Sequence, residues 1–147
     1  MIGTISTIMM LAAPILIIAT GGMICERSGV TNVGLDGLMS IGACTAAIVH
    51  QLMEVAGVGR ISLTVALLAA ALVSMLISVL HAIASVDLKS DQTISGTGIN
   101  LLATGITVFV CQRIYGTDRS TEFKMGMVKD GLGFYPTLYI AIVVVVL

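Results

Sequence analysis

A short polar stretch between two long apolar runs most constrains how this chain can fold. Residues 26–37 (ERSGVTNVGLDG) hold three charged side chains, one asparagine and three glycines, whereas residues 1–25 and 38–53 contain no Asp, Glu, Lys or Arg. Ionisable groups at membrane depth are rare and usually face a protein interior or a watery cavity. Glycine allows the backbone to leave the helical conformation. The pattern therefore predicts a broken or re-entrant element near residues 25–37.

Two interpretations of this stretch remain open. A helix that is interrupted inside a membrane bundle exposes backbone N–H and C=O groups, and these groups can hold a solute on a transport pathway. The same composition also suits an ordinary solvated loop between two membrane helices. The spacing of the polar residues within 26–37 is compatible with both.

The composition of the whole chain indicates a membrane protein. Of its 147 residues, 57% are hydrophobic and 10% are charged, and the mean hydropathy is +1.09. Soluble domains carry about 25% charged residues. The net charge of −1 argues against a nucleic-acid partner, because no basic patch is present to neutralise phosphates. We therefore expect an all-α, polytopic membrane protein that contacts lipid.

Motifs for catalysis and for metal binding are missing from the sequence. It contains neither a Gly-rich phosphate loop ending in Lys-Ser or Lys-Thr nor a recognisable Ser/His/Asp set. Cys25, Cys44 and Cys111 are scattered through apolar runs, where cysteine behaves as a small hydrophobic residue. His50 and His81 lie far apart in the sequence. We therefore expect no enzyme activity, no metal site and no cofactor bound by this chain itself.

Apolar segments follow one another along the chain, and a helix of about 20 residues crosses a bilayer core of about 30 Å. The segments are residues 5–24, 38–53, 61–86, 95–112 and 131–147. Pro14 predicts a kink in the first. The second either starts inside the polar stretch, with Asp36 in its first turn, or forms half of a re-entrant element. We expect residues 113–130 to form a solvent-exposed loop. The last segment is too short after Pro136 to span, so the chain is expected to stop inside a membrane helix.

Small side chains recur at every fourth residue of the third segment. They are Ala66, Ala70, Ser74, Ser78 and Ala82. Such a stripe lets helix backbones approach closely in lipid, so it predicts helix packing rather than chemistry. His81 lies near the end of the same segment, and we expect it to be packed or interfacial rather than part of a proton relay.

A second glycine-rich cluster, residues 95–100, follows a polar turn and opens the fourth segment. Together with Asp91 it weakly echoes residues 26–37, because each stretch contains an acidic residue, a Ser-Gly pair and an asparagine, although the spacing differs. A buried asparagine needs hydrogen-bond partners. Asn100 is therefore expected either to bond across helices or to line a cavity.

Two stretches together resemble the integral-membrane permeases of ATP-binding-cassette (ABC) importers of the branched-chain amino acid and ribose type. The first is residues 21–37, and the second is His81-Ala82 followed by DQTISGTGINLLA at residues 91–103. The sequence is similar to the nucleoside and simple-sugar branch, which is served by basic-membrane-protein lipoproteins. The resemblance covers residues 10–115. Thr31 and Asp36 depart mildly from the family pattern, and Asp36 retains the negative charge.

The resemblance implies a permease subunit of a bacterial plasma (inner) membrane importer for nucleosides or related small polar solutes. Its implied partners are a second permease subunit, an ABC ATPase that binds ATP, and an extracytoplasmic substrate-binding protein. It also implies that the polar residues at the matched positions line or shape the translocation pathway. These residues are Glu26, Ser28, Asn32, Asp36, Gln92, Ser95 and Asn100.

The permeases of this family are longer than the present chain. In addition, residues after Lys124 do not resemble the cytoplasmic loop that docks on the ATPase in that family. We therefore expect residues 1–147 to form a single, incomplete permease domain that corresponds to the N-terminal half. Two alternatives stay open, namely a permease for simple sugars and a truncated, non-transporting membrane scaffold protein.

Overall fold

The structure, a computed structural model, describes residues 2–59, 61–119 and 135–146. Within these ranges the chain is helical and contains no strand. Its elements are α1 (Ile2–Arg27), α2 (Leu35–Val55), α3 (Ile61–Ala82), a π-helical turn (Ile83–Asp87), α4 (Gln92–Tyr115) and α5 (Pro136–Val146). By length and composition, α1, α2, α4 and α3 with its π-helical turn can each cross a membrane. The predicted all-α, polytopic architecture is confirmed.

The helix breaks inside the polar stretch, as predicted, but the break is short. α1 continues to Arg27, and α2 starts at Leu35. Gly29 ends the first helix, because its N–H donates to the Glu26 C=O at 3.0 Å and its φ is +85°, a left-handed conformation that glycine adopts without strain. Asp36 lies in the first turn of α2, which has 21 residues. Of the two interpretations of the second segment, the structure therefore supports a full-length helix that starts within the polar stretch.

The contacts divide the chain into two compact units. In the first unit, α1 packs against α5. The buried positions of these helices are small side chains, namely Ser6, Ala13 and Ala141. Small residues allow two membrane helices to approach closely, since lipid offers no hydrophobic driving force of its own. Pro136 opens α5, as expected from the preference of proline for a first helical turn.

In the second unit, α2 packs against both α3 and α4, and the π-helical turn contacts α3 and α4. The α2–α3 contact is close, because a Cβ atom at Gly42 would lie 2.8 Å from the Ser74 Oγ. The same hydroxyl donates a hydrogen bond to the Leu38 C=O at 3.2 Å. Ser74 thus joins the two helices through packing and through a hydrogen bond.

The small-residue stripe of α3 follows the packed face for most of its length. Its first four members are buried or half-buried, whereas the last, Ala82, is exposed. The cause is helical geometry, because each residue turns the helix by about 100° and every four-residue step therefore drifts by about 40°. Over the whole stripe the drift reaches about 160°. At this end of α3 the packed position belongs to His81, which is only 3% exposed.

The fourth helix extends further than the sequence predicts. α4 ends at Tyr115, so Arg113 lies in its last turn and not in the loop predicted for residues 113–130. A cation is favourable there because the C-terminal end of a helix carries partial negative charge. Gly116 then closes the helix with a φ of +71°. The rest of the predicted loop from residue 120 onwards lies outside the described residues.

Candidate functional site

The candidate site lies around residues 30–37, which we call the break segment. It leads into α2 and includes the first turn of that helix. The first N–H groups of any helix lack partners within the helix, and Gly34, at the N-cap position, has no side chain to supply one. Peptide groups buried in lipid need hydrogen-bond partners. Most of the partners seen here come from α4.

One face of α4 lies against the break segment. Gln92, Gly96 and Asn100 form this face, since residues four apart in a helix lie on the same side. The Gln92 Oε1 accepts a hydrogen bond from the Thr31 N–H at 2.7 Å. We call the three residues the clamp face. It is held in position at its start by Asp91, whose carboxylate accepts hydrogen bonds from the backbone of the first turn of α4.

Asn100 bonds to the break segment through both ends of its side-chain amide. Its Oδ1 accepts from the Gly37 N–H at 2.7 Å, and its Nδ2 donates to the Val33 C=O at 3.0 Å. A side chain that satisfies one donor and one acceptor fixes both the position and the orientation of the backbone that it bonds. Of the two roles expected for Asn100, the geometry supports a bond across helices.

Glycine permits direct backbone contact between the clamp face and the break segment. A Cβ atom at Gly96 would lie 2.8 Å from the Gly34 N and 2.9 Å from the Val33 Cβ. At Gly37, a Cβ atom would lie 2.9 Å from the Asn100 Cα. Real Cβ atoms do not approach backbone atoms so closely, because packing at van der Waals distance is already complete. Any side chain at Gly96 or Gly37 would therefore push α4 away from α2.

Asn32 acts within the break segment itself. Its Oδ1 accepts a hydrogen bond from the Gly34 N–H at 3.0 Å, which is the local turn that asparagine commonly makes with the backbone two residues ahead. Together with the bonds from α4, this contact occupies the N–H groups of Thr31, Gly34 and Gly37 and the C=O group of Val33. These four peptide groups therefore have hydrogen-bond partners within the protein.

Ser95 lies on the neighbouring side of α4 and contacts α3. Its Oγ is 3.0 Å from the His81 Nδ1, and the Ser85 Oγ is 3.4 Å from the His81 Nε2. Both ring nitrogens of this buried histidine therefore face hydroxyl groups. His81 is a packed residue that links α3, the π-helical turn and the start of α4.

The other predicted pathway residues are Asp36, Glu26 and Ser28, and the clamp-face bonds described above do not involve their side chains. Asp36 is exposed on the first turn of α2. Glu26 and Ser28 belong to the first compact unit, where Glu26 is exposed and the Ser28 Oγ donates to the Cys25 C=O at 2.6 Å. The structure thus gathers the predicted amide side chains around the break segment and leaves the predicted carboxylates at the surface of the chain.

Three residues that contribute to the site were not among the predicted pathway residues. They are Gly37, His81 and Gly96. The equal spacing of Gln92, Gly96 and Asn100 is a signal that could have identified the clamp face. Within the described residues, no group of three His, Cys, Asp or Glu residues could hold a metal ion. The arrangement is a polar joint that holds a helix break in a fixed geometry.

Comparison with known proteins places the chain among transport subunits. Residues 4–147 match the family described as the permease component of branched-chain amino acid transport systems. The guanosine ABC transporter permease protein NupQ of Bacillus subtilis is 42% identical over 130 residues, which cover 86% of this chain and 40% of NupQ. The nucleoside ABC transporter permease protein NupC of Lactococcus lactis is 36% identical over 111 residues, which cover 76% of this chain and 35% of NupC.

A more distant relative carries a different name. The putative glucose ABC transporter permease protein of Haloferax volcanii is 29% identical over 141 residues, which cover 96% of this chain and 37% of the relative. The chain therefore spans between 35% and 40% of the length of these relatives. No solved structure matches the chain.

Proposed function

Because the chain belongs to the family of permease components of branched-chain amino acid transport systems, we propose that it forms part of the translocation pathway of an ABC importer for nucleosides. This family consists of transport subunits and not of enzymes in the usual sense. Because the chain belongs to this family and contains four helices that can cross a bilayer, it is a multi-pass protein of the plasma membrane. The names of NupQ and NupC support nucleosides as the solute.

One observation carries the proposal, namely that two polar motifs far apart in the sequence meet in space. The bonds from Gln92 and Asn100 to the break segment join residues that lie 61, 63 and 67 positions apart in the sequence. A polar joint is costly in an apolar bundle, and polar groups at membrane depth commonly mark the path of a solute or an ion. The joint is therefore better explained by transport than by packing alone.

Apart from Ser95, whose hydroxyl bonds to His81, the predicted pathway residues then divide into two roles. Asn32, Gln92 and Asn100 shape the pathway, because their amides are bonded to backbone groups of the protein. Asp36 remains a candidate for lining the pathway, since its carboxylate is exposed. Glu26 and Ser28, at the end of α1, are candidates for the same role.

The importer needs further subunits to work. We assign ATP binding and hydrolysis to a partner ATPase, and substrate delivery to an extracytoplasmic binding protein, with a second permease completing the pathway. Alternating exposure to the two sides requires contacts that differ between two states. The bonds from α4 to the break segment are candidates for such contacts.

Uptake by the complete importer tests the proposal. The full-length permease is co-expressed with its partner subunits, purified, and reconstituted into proteoliposomes with the binding protein. We expect the ATPase to co-purify, and labelled guanosine to enter only when ATP is present. An excess of unlabelled glucose should leave this uptake unchanged. The importer assignment would be contradicted if the ATPase failed to co-purify and guanosine uptake did not depend on ATP.

Import of simple sugars is a second candidate, favoured by the similarity to the putative glucose permease of Haloferax volcanii. The same vesicles distinguish it, because ATP-dependent entry of labelled glucose without entry of guanosine would select the sugar permease. A chain that recovers no partner and imports neither solute would instead favour the non-transporting scaffold.

A further inference from the structure

His81 is held by hydrogen bonds at both nitrogens of its buried ring. The Nδ1 lies 3.0 Å from the Ser95 Oγ on α4, and the Nε2 lies 3.4 Å from the Ser85 Oγ on the π-helical turn. A hydroxyl group both donates and accepts, so both contacts form with either neutral tautomer of the imidazole. The ring is therefore fixed in one orientation between three elements of the second compact unit.

The π-helical turn supplies a rigid support for this histidine. Ser85, its partner on the turn, is itself buried. Just beyond the turn, the N–H and the Oγ of Ser90 both donate to the Ala84 C=O, at 3.0 and 2.7 Å. Short π-helical turns are rare and are frequently found at functional sites. The turn thus holds the end of α3 in a defined position just before α4 begins.

Ser95 meets His81 on a different side of α4 from the clamp face. Successive residues turn a helix by about 100°, so Ser95 lies about 100° around the axis from Gly96, the centre of the clamp face. Contacts along a single line of a helix resist rolling about that line only weakly. A second contact, made from another helix and about 100° away, prevents the roll. His81 provides this contact, because α3 and α4 pack chiefly against α2.

The clamp bonds are sensitive to such a roll. The Oε1 of Gln92 and the Oδ1 of Asn100 each accept from the break segment at 2.7 Å. The Cα atoms of a helix lie about 2.3 Å from its axis, and the side-chain amides lie further out, so a roll of about 20° moves these amides by about 1–2 Å. A displacement of about 1 Å stretches a bond of this length beyond the range of a hydrogen bond.

We propose that His81 is a positioning residue for transport, which fixes the rotation of α4 so that the clamp face meets the break segment. It acts through Ser95, which precedes Gly96 in the sequence. This role rests on the transport function proposed for the chain, because it connects His81 to the pathway through the clamp face. Alternating exposure requires contacts that differ between two states, and the rotation of α4 decides which clamp bonds form.

Hydrogen exchange of the full-length permease in detergent tests the positioning role without reference to transport. Peptides that cover residues 30–38 report on the break segment, and peptides from the middle of α2 report on unfolding of the whole unit. Relative to the middle of α2, exchange in the break segment should become about fivefold faster or more in His81→Ala and in Ser95→Ala. This factor corresponds to a lost hydrogen bond of about 1 kcal/mol. Ser85→Ala, which keeps the bond between His81 and Ser95, should leave this ratio unchanged.

Two amide side chains separate the bond to Ser95 from simple packing. The amide of asparagine is as far from its Cβ atom as the Nδ1 of histidine, whereas the amide of glutamine reaches the position of the Nε2. His81→Asn should therefore restore slow exchange in the break segment, and His81→Gln should not, although glutamine is closer in size to histidine. Combining His81→Ala with Ser95→Ala should add nothing to His81→Ala, because both substitutions remove the same contact.

Uptake then connects the positioning role to transport. In proteoliposomes that contain the complete importer, ATP-dependent guanosine uptake should fall about fivefold or more in His81→Ala and recover in His81→Asn. An unchanged exchange ratio in His81→Ala, or equal rescue by asparagine and glutamine, would overturn the positioning role. Full uptake by His81→Ala would overturn its importance for transport. If the exchange results hold but the unsubstituted importer moves no guanosine, the nucleoside assignment fails and the positioning of α4 by His81 stands.

Discussion

Asn100 offers the sharpest test of how the break segment is held, because one substitution removes two defined contacts. Asn100→Ala deletes the acceptor of the Gly37 N–H, bonded at 2.7 Å, and the donor to the Val33 C=O, bonded at 3.0 Å. Both backbone groups then lack a side-chain partner at the position where α2 begins. The variant leaves the helical propensity of α4 intact, since alanine is a good helix former.

The expected loss follows from these two bonds. A protein hydrogen bond contributes about 0.5–1.5 kcal/mol net, and side-chain bonds between membrane helices average about 0.6 kcal/mol. Two bonds therefore correspond to a decrease of about 1–3 kcal/mol in the free energy of unfolding. Gly37 is buried, so water cannot fully replace the lost acceptor, and we expect a value in the upper part of this range.

Equilibrium unfolding of the full-length permease in mixed detergent micelles measures the loss. Thr104→Ala is the matched control, since Thr104 lies one turn further along α4, is exposed, and donates only to the Asn100 C=O of its own helix at 2.9 Å. Surface substitutions of this kind stay within about 0.5 kcal/mol. Hydrogen exchange supplies a local readout, because the Gly37 amide should exchange faster in Asn100→Ala and not in Thr104→Ala.

Asn100→Asp separates the two bonds. The carboxylate still accepts from the Gly37 N–H, but it places an oxygen against the Val33 C=O. Exchange at Gly37 should therefore stay slow in this variant while the free energy of unfolding still falls. Equal losses in Asn100→Ala and Thr104→Ala, with unchanged exchange at Gly37, would refute the idea that α4 holds the break segment.

Two further predictions concern packing around the same site. Gly96→Ala should destabilise the protein by about 1–3 kcal/mol, as overpacked sites do, because its Cβ atom would lie 2.8 Å from the Gly34 N. Gly98→Ala is the control on the same helix: within the described part of the chain nothing lies within 4 Å of its Cβ position, so thermal unfolding should show no loss, and a gain of up to about 1 kcal/mol. His81→Ala should lower the free energy of unfolding by about 1–3 kcal/mol, because it leaves the Ser95 hydroxyl without its partner. His81→Asn should recover part of this loss, and an equally unstable pair of variants would show that the ring contributes packing alone.

The existence of the break could be predicted from sequence, whereas its bounds could not. The contrast between charged and apolar residues identifies the stretch at once. However, a charged residue at the end of a helix costs little when it reaches water, and α1 accordingly continues through Glu26 to Arg27. The start of α2 at Leu35 follows from the packing of Gly34 against Gly96, a contact with a residue of another helix.

The partners of the break segment lay beyond what one sequence reveals. The resemblance to known permeases selects Gln92 and Asn100 as pathway residues, but it does not tell whether an amide faces a solute or the backbone. That choice depends on which helix lies beside the break, and contacts across more than 60 residues are set by tertiary packing. The face shared by Ala66 and His81 could have been predicted, because the drift of a four-residue stripe follows from helix geometry alone.

The clamp on the break segment also has a consequence for the order in which the protein is made. Asn100 follows Gly37 by 63 residues, and at about 5–20 residues per second the ribosome needs about 3–13 s to reach it. During that interval the N–H groups of Thr31 and Gly37 and the C=O group of Val33 must be solvated by water or by the insertion machinery, because lipid offers them no partners. The first two helices thus enter the bilayer before these backbone groups have their partners on α4. A ribosome that stalls within α3 leaves a nascent chain in which they are still without those partners.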